Sequence, residues 1–258
     1  MDLKMIQDLI LQELSFYFKG HIEEIAQRPG GYIDELSKNE KSVKIIFDQI
    51  NFKILNISEN VENFTEFSAE TLRNKRIISY LNFIALDHIL FLYVWQNWIN
   101  KIVTKYGNND VLQDSFATFC GIKLRLKKGH LMRVMIRQTG LEYLENGTMK
   151  VSVISVDNIT HLIKSDFYWG RLAFGGKEKR YIHHLNSTDK KDIPHDIISN
   201  REKEVLRRIA HGMESKEIGK ELFMSPHTVD NHRRNMLART GARDTTALVQ
   251  LCLMAGVI

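Results

Sequence analysis

The chain has 258 residues, of which 43% are hydrophobic and 26% charged, with a formal net charge of +5. That length suits one large domain or two ordinary ones, and the balance excludes wholesale disorder. The mild basic excess permits a nucleic-acid partner without requiring one. The two cysteines, Cys120 and Cys252, are far apart and have no CxxC or His-rich surroundings. This pattern argues against a disulfide framework or a zinc site and for a reducing cytoplasm, with both thiols packed as small apolar groups.

Residues 1–10 carry early acidic residues and no apolar stretch leading to a small-residue cleavage site, so no signal peptide is expected. The most apolar region, 81–103, is interrupted by Asp87, His88, Gln96 and Asn97. It is too polar to span a membrane.

In chain order, Ile6, Leu9, Ile10, Leu14 and Phe18 predict a helix that Pro29-Gly30-Gly31 stops, giving an N-terminal helical segment over 1–39. Val43 to Phe47 and Phe52 to Ile57 read as two short strands around a turn at Asp48 to Asn51. Short helices are expected at about 59–75, with Ser68 as a cap. A longer amphipathic helix covers about 84–106, ending near Gly107-Asn108-Asn109. Phe116 to Lys127, Leu131 to Gln138 and Met149 to Ile159 read as antiparallel strands, with turns at Lys128-Gly129 and Asn146-Gly147. The order implies an α+β domain over 40–174. Residues 175–197 are polar and charged, with Pro194 near the end, and read as an interdomain linker.

From 198 to 258 the pattern becomes four short helices, an all-α domain. Ser199 and Glu202 have capping-box spacing, with Val205, Leu206 and Ile209 on one face. Gly212 closes the first helix, and Ser215 is expected to cap a second that carries Lys216, Ile218 and Leu222. In the third, Ser225 caps and Pro226 takes the first helical position, where no amide donor is needed. Val229, Met236 and Leu237 form its buried stripe. His227, Asp230, Asn231 and Arg234, at i, i+3, i+4 and i+7, form a polar outer face able to hydrogen-bond base edges. Gly241 ends it, and a fourth helix at about 245–255 turns Leu248, Leu251 and Cys252 inward.

Two short helices joined by a tight turn, the second well capped and polar outside, suit insertion into the major groove. The residues Ser199-x-Arg201-Glu202-x-Glu204-Val205-Leu206, Gly212-x3-Lys216-Glu217-Ile218, Ser225-Pro226-x-Thr228-Val229-x2-His232 and Gly241-x-Arg243 resemble the LuxR-type helix-turn-helix domain. The resemblance covers about 60 of the 258 residues. It implies base contacts from His227, Asp230, Asn231 and Arg234, and phosphate contacts from Lys216, Ser225, Thr228 and Arg233. His232 is expected to be structural. A basic residue is frequent at the position of Asp230. Two readings of this carboxylate stay open: it accepts from a cytosine amino group, or it orients Arg234 one turn on. Residues 196–258 hold ten Lys and Arg against eight Asp and Glu, a net +2. One copy should therefore bind DNA weakly at physiological salt. The resemblance implies a homodimer on repeated half-sites of promoter DNA, with Leu251, Met254 and Val257 of the fourth helix as the dimer face. RNA polymerase is a further partner left open, and no membrane partner is expected.

The α+β domain lacks the alternating order and acidic triad of a receiver domain, and the Trp, Tyr and Asp-Pro signatures of an acyl-homoserine-lactone pocket. Phe47-Asp48-Gln49-x2-Phe52-Lys53-Ile54, Phe64-Thr65-Glu66-Phe67-Ser68-Ala69-Glu70, Lys127-Lys128-Gly129-His130 and Val156-Asp157-Asn158-Ile159-Thr160 resemble a PAS-like sensor domain, the last with one residue more than the usual Asp-Ile-Thr. A fold of this kind does not name its ligand. Cys120 lacks the neighbours of a photoreactive flavin cysteine, and His88 and His130 are lone histidines, so no cofactor and no metal are expected. The helix from Phe83 to Trp98 suits core, dimer interface or pocket wall. The expectation is a cytoplasmic, non-enzymatic, one-component regulator whose sensor domain takes a small-molecule effector or a partner. A sensor domain used only for pairing, and an enzymatic domain with a regulatory tail, are the alternatives.

Overall fold

The structure, a computed structural model, describes residues 42–65, 67–73, 84–85, 88–89, 91, 94–95, 98–99, 102, 116–126, 129–144, 148–164, 166–174, 181–186, 192–193 and 195–258. The expected helix over 1–39, the turn at Asn146-Gly147 and the helix end near Gly107 lie outside them.

Runs of β-prone residues build one antiparallel sheet of eight strands: β1 (Val43–Asp48), β2 (Lys53–Ile57), β3 (Phe116–Arg125), β4 (Leu131–Tyr143), β5 (Met149–Asn158), β6 (Trp169–Phe174), β7 (Tyr181–Asn186) and β8 (Asp192–Ile193). The order across the sheet is β2-β1-β5-β4-β3-β6-β7-β8. The first five, with the two early strands side by side and paired to the last three, have the arrangement of a PAS-like domain. The turn between β1 and β2 is set by Asp48, whose Oδ1 accepts the N–H groups of Ile50 and Asn51, each at 2.9 Å. Two short helices follow, α1 (Glu62–Thr65) and α2 (Ala69–Leu72). Ser68 caps α2 by accepting from the Thr71 N–H.

Because neighbouring strand residues face opposite ways, each strand serves two layers. The inner face presents Phe47, Phe119, Ile122, Val134 and Leu172 to the helical residues Phe91, Trp95, Trp98 and Ile102. Their 3-4 spacing makes one apolar stripe. Phe91 stacks on Phe119 with centroids 4.6 Å apart, and Trp95 lies 4.7 Å from the same ring. His88 is buried and tilted against Tyr168 at 4.8 Å, whereas His130 is exposed.

Strands β6 to β8 correct the reading from sequence. The stretch expected to be a linker contains β7 and β8, with β7 paired to β6 from Trp169↔Asn186 to Phe174↔Tyr181. The run Tyr181-Ile182-His183-His184-Leu185 is short and β-prone, and its charged flanks conceal it in the sequence.

Four helices complete the chain: α3 (Asn200–Ala210), α4 (Ser215–Glu221), α5 (Pro226–Thr240) and α6 (Thr245–Met254). Their core is not separate from the sheet. Cys120, Met135 and Trp169 on the outer face, with Ile159, Leu162 and Ile163 from the β5–β6 connection, join Val205, Leu206, Val229, Leu248 and Cys252 in one buried cluster. Both cysteines are free and buried. Burial pushes the Cys252 thiol up to about 12 and that of Cys120 well above the ordinary thiol range, so both stay protonated.

Candidate nucleic-acid interface

The helix-turn-helix is α4, the turn at Leu222 to Met224, and α5. Gly219 lets the turn close: a Cβ there would lie 2.7 Å from the Met224 carbonyl oxygen. The Met224 N–H returns to the Gly219 carbonyl at 2.9 Å. Phe223 takes a left-handed conformation, φ 55°, and is 96% exposed at the tip.

Ser225 caps α5 by accepting the Thr228 N–H at 3.0 Å, and Pro226 fills the first turn. Gly241 ends the helix at φ 71°. Ser215 does not cap α4. Glu214 stands at that position, with its N–H bonded to Glu217, because a carboxylate three residues on can close the first turn from outside.

His227, Asp230 and Arg234 are exposed on α5, and Asn231 is half-buried beside them. Ser215, freed from capping, donates its hydroxyl to Asp230 at 2.7 Å. Arg234 reaches the side-chain oxygen of Asn231. The carboxylate of Asp230 is therefore held from α4 rather than by Arg234. Lys216 and Ser225 are exposed, and Thr228 and Arg233 half-buried, around the N-terminal half of the helix.

Behind this face, Glu202 is buried and bonded to the Ser199 N–H at 2.9 Å. It also pairs with Arg239 of α5 and lies 4.0 Å from His232 Nδ1. Burial alone would raise its pKa. Hydrogen bonds from Arg239 and Ser199 outweigh that and hold the carboxyl below the usual range. One buried carboxylate thus caps α3 and fixes the far side of α5, and Arg208 ties α3 to α4 through both oxygens of Glu221 at 2.9 and 3.1 Å. The capping-box spacing marked Glu202 as the partner of Ser199, but no sequence signal marked its pairing with Arg239 or the bond from Ser215 to Asp230.

Leu251 and Val257 are buried and Met254 packs on the same cluster, so within this chain they fill the core instead of forming an open dimer face. Gln250 and Leu253 are the exposed residues of that helix end. Among the described residues no group of three His, Cys, Asp or Glu side chains is placed to hold a metal, and no helix is long and apolar enough to cross a membrane.

Residues 196–252 match the family described as bacterial regulatory proteins, luxR family. This segment is a LuxR-family domain. This chain is 36% identical over 67 residues to the transcriptional regulatory protein LiaR of Bacillus subtilis strain 168, covering 26% of this chain and 32% of that one. It is 38% identical over 68 residues to the oxygen regulatory protein NreC of Staphylococcus aureus strain JH9, covering 26% and 30%. The match spans about a third of the length of those relatives. Among solved structures, VqmA of Vibrio cholerae in its dimer without target DNA aligns over 86% of each chain at 14% identity with a TM-score of 0.31. A PAS domain from a two-component sensor histidine kinase aligns over 49% of this chain and 93% of its own, at 20% identity and a TM-score of 0.32.

Proposed function

We propose that the chain is a sequence-specific DNA-binding transcription regulator of one-component type, cytoplasmic, with a PAS-like domain upstream of residue 175 that responds to a small molecule or a partner. The observation that carries the DNA reading is the exposed set His227, Asp230 and Arg234 on a helix whose start, turn and back are all fixed by named contacts. In this reading these residues and Asn231 face base edges in the major groove. Arg234 suits guanine, and Asp230, with one oxygen engaged by Ser215, offers the other to a base amino group. Lys216, Ser225, Thr228 and Arg233 surround the helix N-terminus, where free amides and positive charge favour phosphate. Pairing of two copies on repeated half-sites is part of the reading. Leu251, Met254 and Val257 would serve it only by leaving the core they fill here.

The test is selection of binding sites from random DNA by the full chain at fixed salt. A defined half-site is expected. Arg234→Ala should relax one base position at a cost of roughly 1–3 kcal/mol. Lys216→Ala should weaken all sequences alike and flatten the salt slope. No enriched site for the full chain would overturn the reading.

A further inference from the structure

The sensor sheet does more than stand beside the DNA-binding helices: it supplies hydrogen-bond donors to their ends. The last carbonyls of a helix have no partner within it. At the end of α5, the Thr240 carbonyl accepts from the Trp169 indole N–H at 3.1 Å and the Gly241 carbonyl from the Lys164 N–H at 2.8 Å. The Arg243 N–H returns to the Leu162 carbonyl at 2.9 Å, and Ile163 forms a β-bridge with Ala242. At the end of α6, the Ala255 carbonyl accepts from Arg171 Nη1 at 3.2 Å. The remaining Arg171 donors, Nε and Nη2, grip both oxygens of Asp196 at 2.8 and 3.0 Å, and Lys203 of α3 reaches the same carboxylate at 2.6 Å. The Arg171 side chain is 1% exposed and that of Asp196 7%. Phe167 sits where a Cβ on Gly241 would be, at 2.3 Å.

The donors Trp169 and Arg171 are on β6, two residues apart and so on the same outer face. Between them Gly170 turns to the inner face, where a Cβ would lie 2.1 Å from Cζ3 of Trp95. The Trp95 ring therefore rests directly on the backbone of the strand whose other side holds the end of the recognition helix. A displacement of Trp95 toward β6 would meet the backbone of that strand directly.

We propose that strand β6, with residues 159–164 and 166–168 before it, is a rigid mount that fixes the recognition helix against the sensor domain, with Arg171–Asp196 as its latch. The sensor thus sets the spacing between two recognition helices by direct contact rather than through a loose tether. This inference rests on the reading of the chain as a dimeric DNA-binding regulator. The mount leaves His227, Asp230 and Arg234 open to solvent. It governs where the helix points and not whether it can reach a groove.

The experiment uses the full chain and duplexes that carry one copy of its selected half-site, or two copies whose separation is varied one base pair at a time across about one helical turn. Wild type should show one sharp optimum. Arg171→Met and Trp169→Phe should leave single-site affinity unchanged and flatten the optimum, by about 10- to 100-fold in relative affinity as rigid positioning is exchanged for flexible tethering. Variants that keep the wild-type optimum would overturn the mount. Amide hydrogen exchange on the wild type gives an answer even where a variant does not fold. The Lys164 and Arg243 amides should be as slow as the sheet interior, and fast exchange there would equally refute docking. If wild type selects no DNA while those amides are protected, the functional reading fails and the docked architecture stands.

Discussion

The two faces of the sheet are held by different physics. The inner face meets Phe91, Trp95, Trp98 and Ile102 through ring stacking and apolar contact. The outer face meets the LuxR-type domain through Cys120, Met135 and Trp169, and also through directional bonds from Trp169, Arg171 and Lys164. Apolar packing scales with area and tolerates repacking, whereas a bidentate ion pair and indole bond accept one geometry. The inner face therefore suits a core that can deform, and the outer face an interface that must keep its pose.

Four changes would break or sharpen that contrast. Trp95→Ala empties the centre of the inner layer and should cost about 4 kcal/mol in denaturant unfolding, spread over the whole PAS-like domain. Arg171→Met leaves Asp196 buried with only Lys203 opposite. It should cost about 3 kcal/mol, toward the lower end for a broken buried pair, and should separate unfolding of the helices from that of the sheet. Equal loss in both domains for both variants would remove the distinction. Acid tests the same latch without mutation. Burial would raise the pKa of Asp196, but hydrogen bonds and charge from Arg171 and Lys203 lower it below its ordinary value. A carboxylate depressed in the folded state stabilises above its unfolded pKa of about 3.9, and that stability is lost as pH falls through the folded value. Melting temperature should thus drop below about pH 4, and Asp196→Asn should shallow the drop. The smallest effect is expected from Ser225→Ala, which removes the α5 cap and touches neither face of the sheet. It should cost about 1 kcal/mol with the half-site spacing optimum unchanged.

The helices were legible because their signals are local. Ser199 and Glu202, Ser225 and Pro226, and Gly241 each act within a turn of where they stand, and each does so in the structure. The strands β1 to β5 were legible as alternating runs around local turns, and the motifs that resemble a PAS-like domain supplied their grouping, whereas the pairing of β1 with β5 joins residues about a hundred positions apart. What escaped is pairing at a distance. Arg171 and Asp196 are 25 residues apart, and Trp169 and Thr240 71 apart. Neither pair carries a sequence pattern that distinguishes it from any exposed arginine or core tryptophan. Ser215 escaped for a subtler cause: Glu217 closes the first turn by accepting the Glu214 N–H, so the helix starts one residue earlier than the good capping residue Ser215 suggests, and Ser215 is left to hold Asp230.

The carbonyls of Thr240, Gly241 and Ala255 also set a limit on recombination. A cassette cut here at the start of α3 would leave its helix-end donors behind and carry away an apolar face shaped to one particular sheet. Productive chimaeras should instead have their junction just after β5, so that the connection that follows it, β6 and the four helices are inherited together.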